Sequence, residues 1–188
     1  MIIYTHRTAI KRKTGSRPVR DLIEGKYLLN VKSILDFGCG HGGDAKYLRE
    51  CHGGIVNKHD PHPSFGTPRP TYSEYDMVTM IYVVNVIPRE GDRRIALRNA
   101  WRMVAPGGLL FLASRTEREV EDQAAKYGWE TYGDGYVTSR KTFQKGYNAV
   151  QLLLLAKIAP GVRSSLCEWH VTESKKYTGL LLAKRRWT

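Results

Sequence analysis

The sequence alternates between short apolar runs and longer segments in which apolar residues recur every three or four positions. The short runs have the length and composition of buried strands, and each is bounded by turn-forming residues. They cover residues 34–37, 54–60, 76–84 and 109–113. The longer segments predict helices, because that spacing places apolar side chains along one helical face.

One predicted helix precedes the strands, and the others lie between or after them. Together they cover residues 19–29, a segment that begins at Asp44, a segment capped by Asp92, residues 116–128 and residues 142–158. Pro106-Gly107-Gly108 predicts a turn before the fourth strand, and the last two strands, 162–171 and 177–184, predict a hairpin. This order indicates an α/β fold with a mostly parallel sheet and a C-terminal antiparallel hairpin.

A glycine-rich loop follows the first predicted strand. Gly38, Gly40 and Gly43 form a G-x-G-x-x-G pattern between a strand and a helix, at the edge of the sheet where ligands of α/β proteins bind. Such a loop lets the backbone approach a cofactor, and the following helix N-terminus favours negative charge. Nicotinamide and flavin enzymes share the pattern, and a glycine turn without a ligand also fits it.

Two acids accompany the loop. Asp36 lies two residues before Gly38, where its carboxylate would repel a pyrophosphate, and Asp60 ends the second predicted strand 20 residues after Gly40. Asp60 is placed to accept hydrogen bonds from both hydroxyls of a ribose, whether or not the nucleoside cofactor contains a pyrophosphate. The acid at position 36 therefore favours a cofactor without a pyrophosphate.

These segments resemble class I methyltransferases, which use S-adenosylmethionine (SAM). Residues 34–42, Ile-Leu-Asp-Phe-Gly-Cys-Gly-His-Gly, resemble motif I of that family, residues 75–78 with 85–88 resemble motif IV, and Ala105-Pro106-Gly107-Gly108 is a turn that recurs in it. The resemblance implies a Rossmann-like methyltransferase sheet with SAM as the cofactor. The residues implied to bind SAM are Asp36, at its methionyl amino group, with Gly38, Cys39, Gly40 and Asp60.

A subgroup resemblance extends over most of the chain to about residue 150. The sequence is similar to the methyltransferases associated with DNA phosphorothioation. The shared segments are Thr8-Ala9-Ile10, Ser16-Arg17-Pro18-Val19-Arg20, Asp60-Pro61, Asn85-Val86-Ile87-Pro88 and Thr142-Phe143-Gln144-Lys145.

The sequence departs from the wider family in two places. Only 15 residues separate Asp60 from Asp76, so we expect the sheet to lack the third strand. The adenine would then be held otherwise, with His62 or Phe65, or Tyr72 and Tyr75, as candidate stacking surfaces. At the second place, Asn85 precedes Val86-Ile87-Pro88 rather than the double proline and aromatic residue of DNA amino-methyltransferases. Asn85 is the candidate catalytic residue, as the acceptor of a hydrogen bond from a target amine, or it caps the turn after the strand.

The charge distribution points to a polyanionic partner. The net charge is +12, from 30 Lys and Arg against 18 Asp and Glu. Residues 1–20 predict a basic arm ahead of a methyltransferase domain at 21–188. The basic residues of this arm all precede the first acid of the chain, and they are Arg7, Lys11, Arg12, Lys13, Arg17 and Arg20. We expect a nucleic-acid partner, DNA rather than RNA, although a basic surface without such a partner also fits the charge.

The remaining composition narrows the alternatives. Three widely spaced cysteines favour a reduced, cytoplasmic location over a disulfide framework. No apolar run has the length of a membrane span, and the six histidines show no metal-ligand spacing. Other functions that fit the sequence are a non-catalytic SAM-fold binding module, a dinucleotide oxidoreductase, and a methyltransferase of a small molecule or protein.

Overall fold

The computed structural model describes residues 1–67, 70, 74–174 and 176–186. The α-helices are α1 (Arg17–Glu24), α2 (Gly43–Cys51), α3 (Glu90–Arg102), α4 (Glu117–Tyr127), α5 (Ala149–Ile158) and α6 (Val162–Ser165). The strands are β1 (Ser33–Phe37), β2 (Ile55–His59), β3 (Tyr75–Ile81), β4 (Val104–Ser114), β5 (Glu130–Tyr132), β6 (Gly135–Val137), β7 (Phe143–Gln144), β8 (Leu166–Ser174) and β9 (Tyr177–Lys184). Short 3₁₀ turns cover Thr5–Thr8, Pro63–Phe65 and Val84–Val86.

The main sheet has six strands in the order β2-β1-β3-β4-β9-β8. Strands β2, β1, β3 and β4 pair in parallel, whereas β9 pairs antiparallel with both β4 and β8. The central strands are buried on both faces, which is why they read as nearly continuous apolar runs. One core contains residues of α1 and α2, and the other contains residues of α3 and α5. The predicted parallel sheet with a C-terminal antiparallel hairpin is confirmed.

The segment between β2 and β3 is too short for a further strand with its helices, as the sequence predicts. Among the residues that the structure describes, no strand lies between these two, and β2 is an edge of the sheet. Tyr75 is fully buried at the start of β3, and its hydroxyl accepts a hydrogen bond from Asn57 Nδ2 at 2.9 Å. The expectation that Tyr75 offers a stacking surface for adenine is therefore wrong, and Tyr72 lies outside the described residues.

Three local predictions are corrected by tertiary contacts. Helix α3 begins at Glu90 with Arg89 as its N-cap, and Asp92 lies within its first turn. The Pro106-Gly107-Gly108 turn lies inside β4, as an irregularity between the Tyr75–Val104 and Met77–Leu109 pairs. The helix predicted over 142–158 begins only at Ala149, where Asn148 and Gln151 form a capping box.

A small second sheet, β5-β6-β7, was not predicted. Its strands are two or three residues long, so they carry too little pattern to be recognised in the sequence. The sheet is joined to the domain by Arg93 of α3, whose side chain is 1% exposed. Arg93 pairs with Asp134 at 2.6 Å and donates to the Tyr147 hydroxyl at 2.8 Å and to the Pro88 carbonyl at 3.2 Å. These bonds fix β7 beside the loop that follows β3.

Close packing at Gly146 holds this small sheet against helix α4. A Cβ atom at Gly146 would lie 2.4 Å from both Glu117 Cα and the Thr116 carbonyl oxygen, which are backbone atoms that cannot move aside easily. We predict that Gly146→Ala lowers the free energy of unfolding by about 1–3 kcal/mol, measured by urea denaturation.

The matched control is Gly91→Ala in the first turn of α3. A Cβ atom at Gly91 meets nothing within 4 Å, so alanine should stabilise the helix by up to about 1 kcal/mol. If the Gly146 variant is as stable as the parent, the contact between α4 and the segment after β7 does not contribute to the free energy of unfolding.

Candidate active site

The glycine loop lies at the carboxyl ends of β1 and β2. Gly38, Gly40 and Gly42 have φ values of +78°, +52° and +78°, which favour glycine over residues with a Cβ atom. A Cβ atom at Gly38 would also lie 2.4 Å from Val83 Cγ2. Gly43 has no positive φ, but its Cβ would meet the Arg12 backbone oxygen at 3.3 Å. The loop therefore depends on Gly42 as well as on the three glycines of the pattern.

Asp60 ties the end of β2 to this loop. Its Oδ2 accepts the N–H of Gly40 at 2.8 Å, and its Oδ1 accepts the N–H of His62 at 2.9 Å. The main chain adds a third connection, because the N–H of Gly38 donates to the His59 carbonyl at 2.7 Å. Each carboxylate oxygen of Asp60 retains a further lone pair for a ligand hydroxyl.

Asp36 is a buried acid with one unpaired oxygen. Its side chain is 3% exposed, and the Thr79 hydroxyl donates to its Oδ1 at 3.3 Å. Among the described residues, no donor meets hydrogen-bond geometry at Oδ2, although the Ala45 N–H lies close enough to the carboxyl group to oppose the rise in its pKa. Burial, with a smaller contribution from the nearby carboxylate of Asp44, raises the pKa of Asp36 to about 7. A buried carboxyl group that lacks a donor is a site for a cationic or amine ligand.

Cys39 lies between the first two glycines and remains a neutral thiol. Burial, and then the negative charge of Asp36, raise the pKa of Cys39 to about 12. Since the thiolate is the reactive form, Cys39 lines the cavity and does not act as a nucleophile.

One cavity of about 770 Å³ connects the loop to the ends of β3 and β4. It brings together all six residues that the sequence predicts for the site, and these are Asp36, Gly38, Cys39, Gly40, Asp60 and Asn85. Other residues that line the cavity were not identified from the sequence. They include Tyr82, whose φ of +58° is unfavourable for a residue with a Cβ atom, and the group Arg115, Glu119 and Gln144. The positive φ at Tyr82 has no sequence signal, whereas Arg115 lies two residues after the strand predicted over 109–113 and was open to recognition.

The N-terminal segment crosses the cavity. The methyl of Ala9 lies 2.9 Å from where a Cβ of Gly40 would be, and the N–H of Ser16 donates to Asp44 Oδ1 at 2.6 Å. Of the six basic residues predicted for the arm, Arg12 and Arg17 line the cavity, while Lys11 and Lys13 are exposed. Helix α1 begins within the predicted arm, and in it Arg17 pairs with Asp21 at 2.7 Å.

Aromatic rings gather beside Asp60. The ring of Phe65 makes edge contacts with His41 and His62, with centroid distances of 5.3 Å and 5.9 Å. His6 of the N-terminal segment stacks on His62 at 4.5 Å. Of the stacking surfaces predicted for adenine, His62 and Phe65 therefore line the cavity.

Asn85 lies in the 3₁₀ turn that follows β3. Asn85 is 1% exposed, and among the described residues its side-chain Oδ1 has no hydrogen-bond donor, so it accepts no cap bond from the turn. Its main-chain carbonyl accepts the N–H of Lys145 at 2.8 Å, which joins this turn to the end of β7. The Asn85 side chain therefore does not cap this turn, which was the alternative to a catalytic role.

A sheet of this strand order, with a glycine loop and two acids at its carboxyl edge, places the cavity where α/β proteins bind their ligands. The family model described as Methyltransferase domain matches residues 11–151, and the chain belongs to this family. No helix among the described residues is long and apolar enough to cross a membrane.

Solved methyltransferases share the fold at low sequence identity. An O-methyltransferase family protein from Burkholderia thailandensis has a TM-score of 0.59 and 16% identity, over 89% of this chain and 55% of that one. Human N-acetylserotonin methyltransferase, in complex with SAM, has a TM-score of 0.62 and 14% identity, over 90% and 52% of the two chains. A SAM-dependent methyltransferase from Methanosarcina mazei has a TM-score of 0.58 and 16% identity, over 88% and 98%.

The chain thus spans about half the length of the first two of these proteins. No curated protein matches the sequence.

The buried carboxyl group of Asp36 makes stability depend on pH. Because the folded state raises this pKa from 3.8 to about 7, ionisation of Asp36 disfavours the folded state. The resulting loss of stability develops as pH rises from about 4 to about 7 and is complete above that range. We predict that Asp36→Asn raises the melting temperature near pH 8 by several degrees, and that the difference shrinks toward about pH 5.

The control is Asp122→Asn on the exposed face of α4, where the carboxylate is 72% exposed. Its melting temperature should differ from that of the parent by a small and nearly constant amount over the same range. An Asp36 variant that is no more stable than the parent near pH 8 would contradict the raised pKa.

Proposed function

We propose that this methyltransferase binds SAM in the 770 Å³ cavity and transfers the methyl group to an amine on a nucleic-acid base, in DNA rather than RNA. The observation that carries the proposal is a pair of buried, unpaired oxygen atoms in one cavity, Asp36 Oδ2 and Asn85 Oδ1. Each needs a hydrogen-bond donor that the described protein does not supply. An amino group of the cofactor and an amine of the acceptor meet these two needs.

The cofactor end of the cavity fits the parts of SAM in order. The unpaired oxygen of Asp36 suits the methionyl amino group, and Gly38, Cys39 and Gly40 leave room for the backbone to approach the ligand. Asp60 has lone pairs for the ribose hydroxyls, and Phe65 with His62 offers a surface for the adenine. When bound, SAM supplies a methyl group that its sulfonium has already activated.

The acceptor end is organised around Asn85. By accepting one N–H of the target amine, its Oδ1 directs the nitrogen lone pair toward the methyl group. The C–S bond breaks as the N–C bond forms, S-adenosylhomocysteine leaves, and the amine gives up one proton to solvent. A base in a duplex must be flipped out of the stack to reach a buried side chain of this kind.

The basic arm supports a nucleic-acid acceptor. The net charge is +12, and exposed Lys11 and Lys13 flank Arg12, which lines the cavity. Cations at the mouth of the site are placed to contact phosphates while a base enters.

The subgroup resemblance to methyltransferases associated with DNA phosphorothioation is part of the proposal. Its shared segments are scattered along the chain, yet the cavity is lined by members of each of them. These members are Thr8, Ala9, Ile10, Arg17, Asp60, Pro61, Asn85, Val86, Ile87 and Gln144.

A second candidate function is methylation of a small molecule. The observation that favours it is the N-terminal segment, which crosses the glycine loop at Ala9 and partly covers the cavity. Labelled SAM with DNA, RNA and a small-molecule extract as separate acceptors distinguishes the two, because the label moves to a polymer in one case only. A protein that binds SAM and labels no acceptor would favour the non-catalytic binding module.

Loss of the Asn85 side chain should separate catalysis from cofactor binding. We predict that Asn85→Ala lowers methyl transfer to DNA at least about tenfold, because the target amine loses its hydrogen-bond acceptor, while SAM affinity changes less than about twofold. Transfer is measured with labelled SAM and affinity by calorimetry.

The control is Asn30→Ala, which makes the same truncation at an exposed position outside the cavity. Transfer that stays within about threefold of the parent in the Asn85 variant would remove Asn85 from the mechanism.

The arm should contribute phosphate contacts. We predict that the double substitution Lys11→Gln and Lys13→Gln weakens binding to single-stranded DNA and reduces the slope of log affinity against log salt by about 1.4, because two phosphate contacts release fewer counterions. SAM affinity should not change, since neither lysine lines the cavity.

The control substitutions are Arg102→Gln and Arg163→Gln, which remove the same charge from exposed positions outside the cavity. An arm variant with the parent's salt slope, or a control with an equal loss, would refute the role of the arm.

A further inference from the structure

Arg115 organises the acceptor end of the cavity. It follows directly on β4, and its side chain is 17% exposed. One guanidinium nitrogen, Nη1, donates to Gln144 Oε1 at 3.1 Å, and the other, Nη2, donates to Glu119 Oε1 at 3.0 Å. All three side chains line the cavity.

The arginine fixes the orientation of the Gln144 amide. A guanidinium has only donors, so the atom of Gln144 that faces it must be the oxygen. The amide nitrogen of Gln144 is then held on the other side as a donor, and Gln144 is 8% exposed. A buried donor that is held in one orientation selects for an acceptor atom in whatever ligand fills the cavity.

This donor belongs to the same wall as the unpaired oxygen of Asn85. The N–H of Lys145, the residue after Gln144, donates to the Asn85 main-chain carbonyl at 2.8 Å. Arg93 reinforces the arrangement, since it binds the Pro88 carbonyl and the Tyr147 hydroxyl on either side of it. Asn85 and Gln144 are therefore held close together in the lining of one cavity.

We propose that Gln144 determines specificity for an acceptor whose target amine adjoins a ring nitrogen with a free lone pair. Adenine and cytosine have this edge on their Watson–Crick face. Guanine has it only at N3, on the sugar side of its amine, and thymine has a carbonyl oxygen beside a ring N–H. Asn85 accepts from the amine and the Gln144 amide donates to the ring nitrogen. This inference rests on the proposed function and adds to it the class of base.

The test is Gln144→Glu, which preserves shape and keeps an oxygen toward Arg115 while it removes the donor. The probes are single-stranded homopolymers of deoxyadenosine, deoxycytidine and thymidine, and the corresponding free nucleosides. The parent should bind and methylate the adenine or the cytosine polymer in preference to thymidine. The variant should lose at least about tenfold in kcat/KM and a similar factor in that preference, with SAM affinity within about twofold.

A matched control is Asn30→Asp, the same change from amide to carboxylate at an exposed position outside the cavity, which should leave kcat/KM and the base preference unchanged. A second variant, Arg115→Met, frees the amide to turn over, so it should weaken the preference between bases more than it weakens SAM binding. Melting temperatures of all variants identify any that fail to fold.

The possible outcomes separate the inference from the proposed function. A Gln144→Glu protein that methylates with the parent's base preference refutes the specificity role alone. A parent that binds SAM but neither binds nor methylates any polymer or nucleoside refutes the nucleic-acid function, and the class of base with it. Methylation of nucleosides but not of polymers keeps the class of base and points to a free heterocycle as the acceptor.

Discussion

The close packing of neighbouring side chains against the backbone of the glycine loop is the constraint on which the rest of the site depends. Gly38 leaves no room for a Cβ atom against Val83, and Gly40 leaves almost none against Ala9 of the N-terminal segment. Asp60 holds the loop in this position by accepting the N–H of Gly40. Since β1, β2 and β3 are fixed in one parallel sheet, the loop in turn fixes where Asp36, Asp60 and Asn85 meet.

Acidic residues concentrate at the loop end of the cavity. Asp36, Asp44 and Asp60 lie there, and the Arg12 backbone packs against Gly43 beside them. At the ends of β3 and β4, Arg115 is paired with Glu119, so this pair adds no net charge to that end. The raised pKa of Asp36 means that ionisation of this buried acid lowers the stability of the folded state.

The small sheet takes part in the site although it lies apart from the main one. Arg93 is almost completely buried, and its bonds to Asp134, Tyr147 and Pro88 connect α3, the small sheet and the turn after β3. A buried arginine with these partners holds a unique arrangement, because loss of any one partner leaves an unsatisfied charge or dipole. Gln144 and Asn85 owe their common wall to this connection.

The sequence by itself determined the features that rest on local pattern. The buried strands, the final hairpin and the Thr116 cap of α4 follow from the spacing of apolar residues and from cap chemistry, which need no distant contact. The loop glycines and Asp36 follow from a turn between strand and helix, which restricts residue type over a few positions. Asp60 follows from its place at the end of the second predicted strand, and Asn85 from the resemblance to motif IV.

Only the tertiary structure decided the acceptor end. Phe143 and Gln144 have the spacing of a helix with the residues that follow, yet they form β7, because pairing with β6 and packing around Arg93 outweigh local propensity. In the same way, Pro106-Gly107-Gly108 became part of β4, Tyr75 became core, and the arm's Arg12 and Arg17 came to line the cavity. Contacts between residues that are far apart in the chain leave no periodic trace in a single sequence, so the pairing of Arg115 with Gln144, 29 positions apart, could be found only in the folded chain.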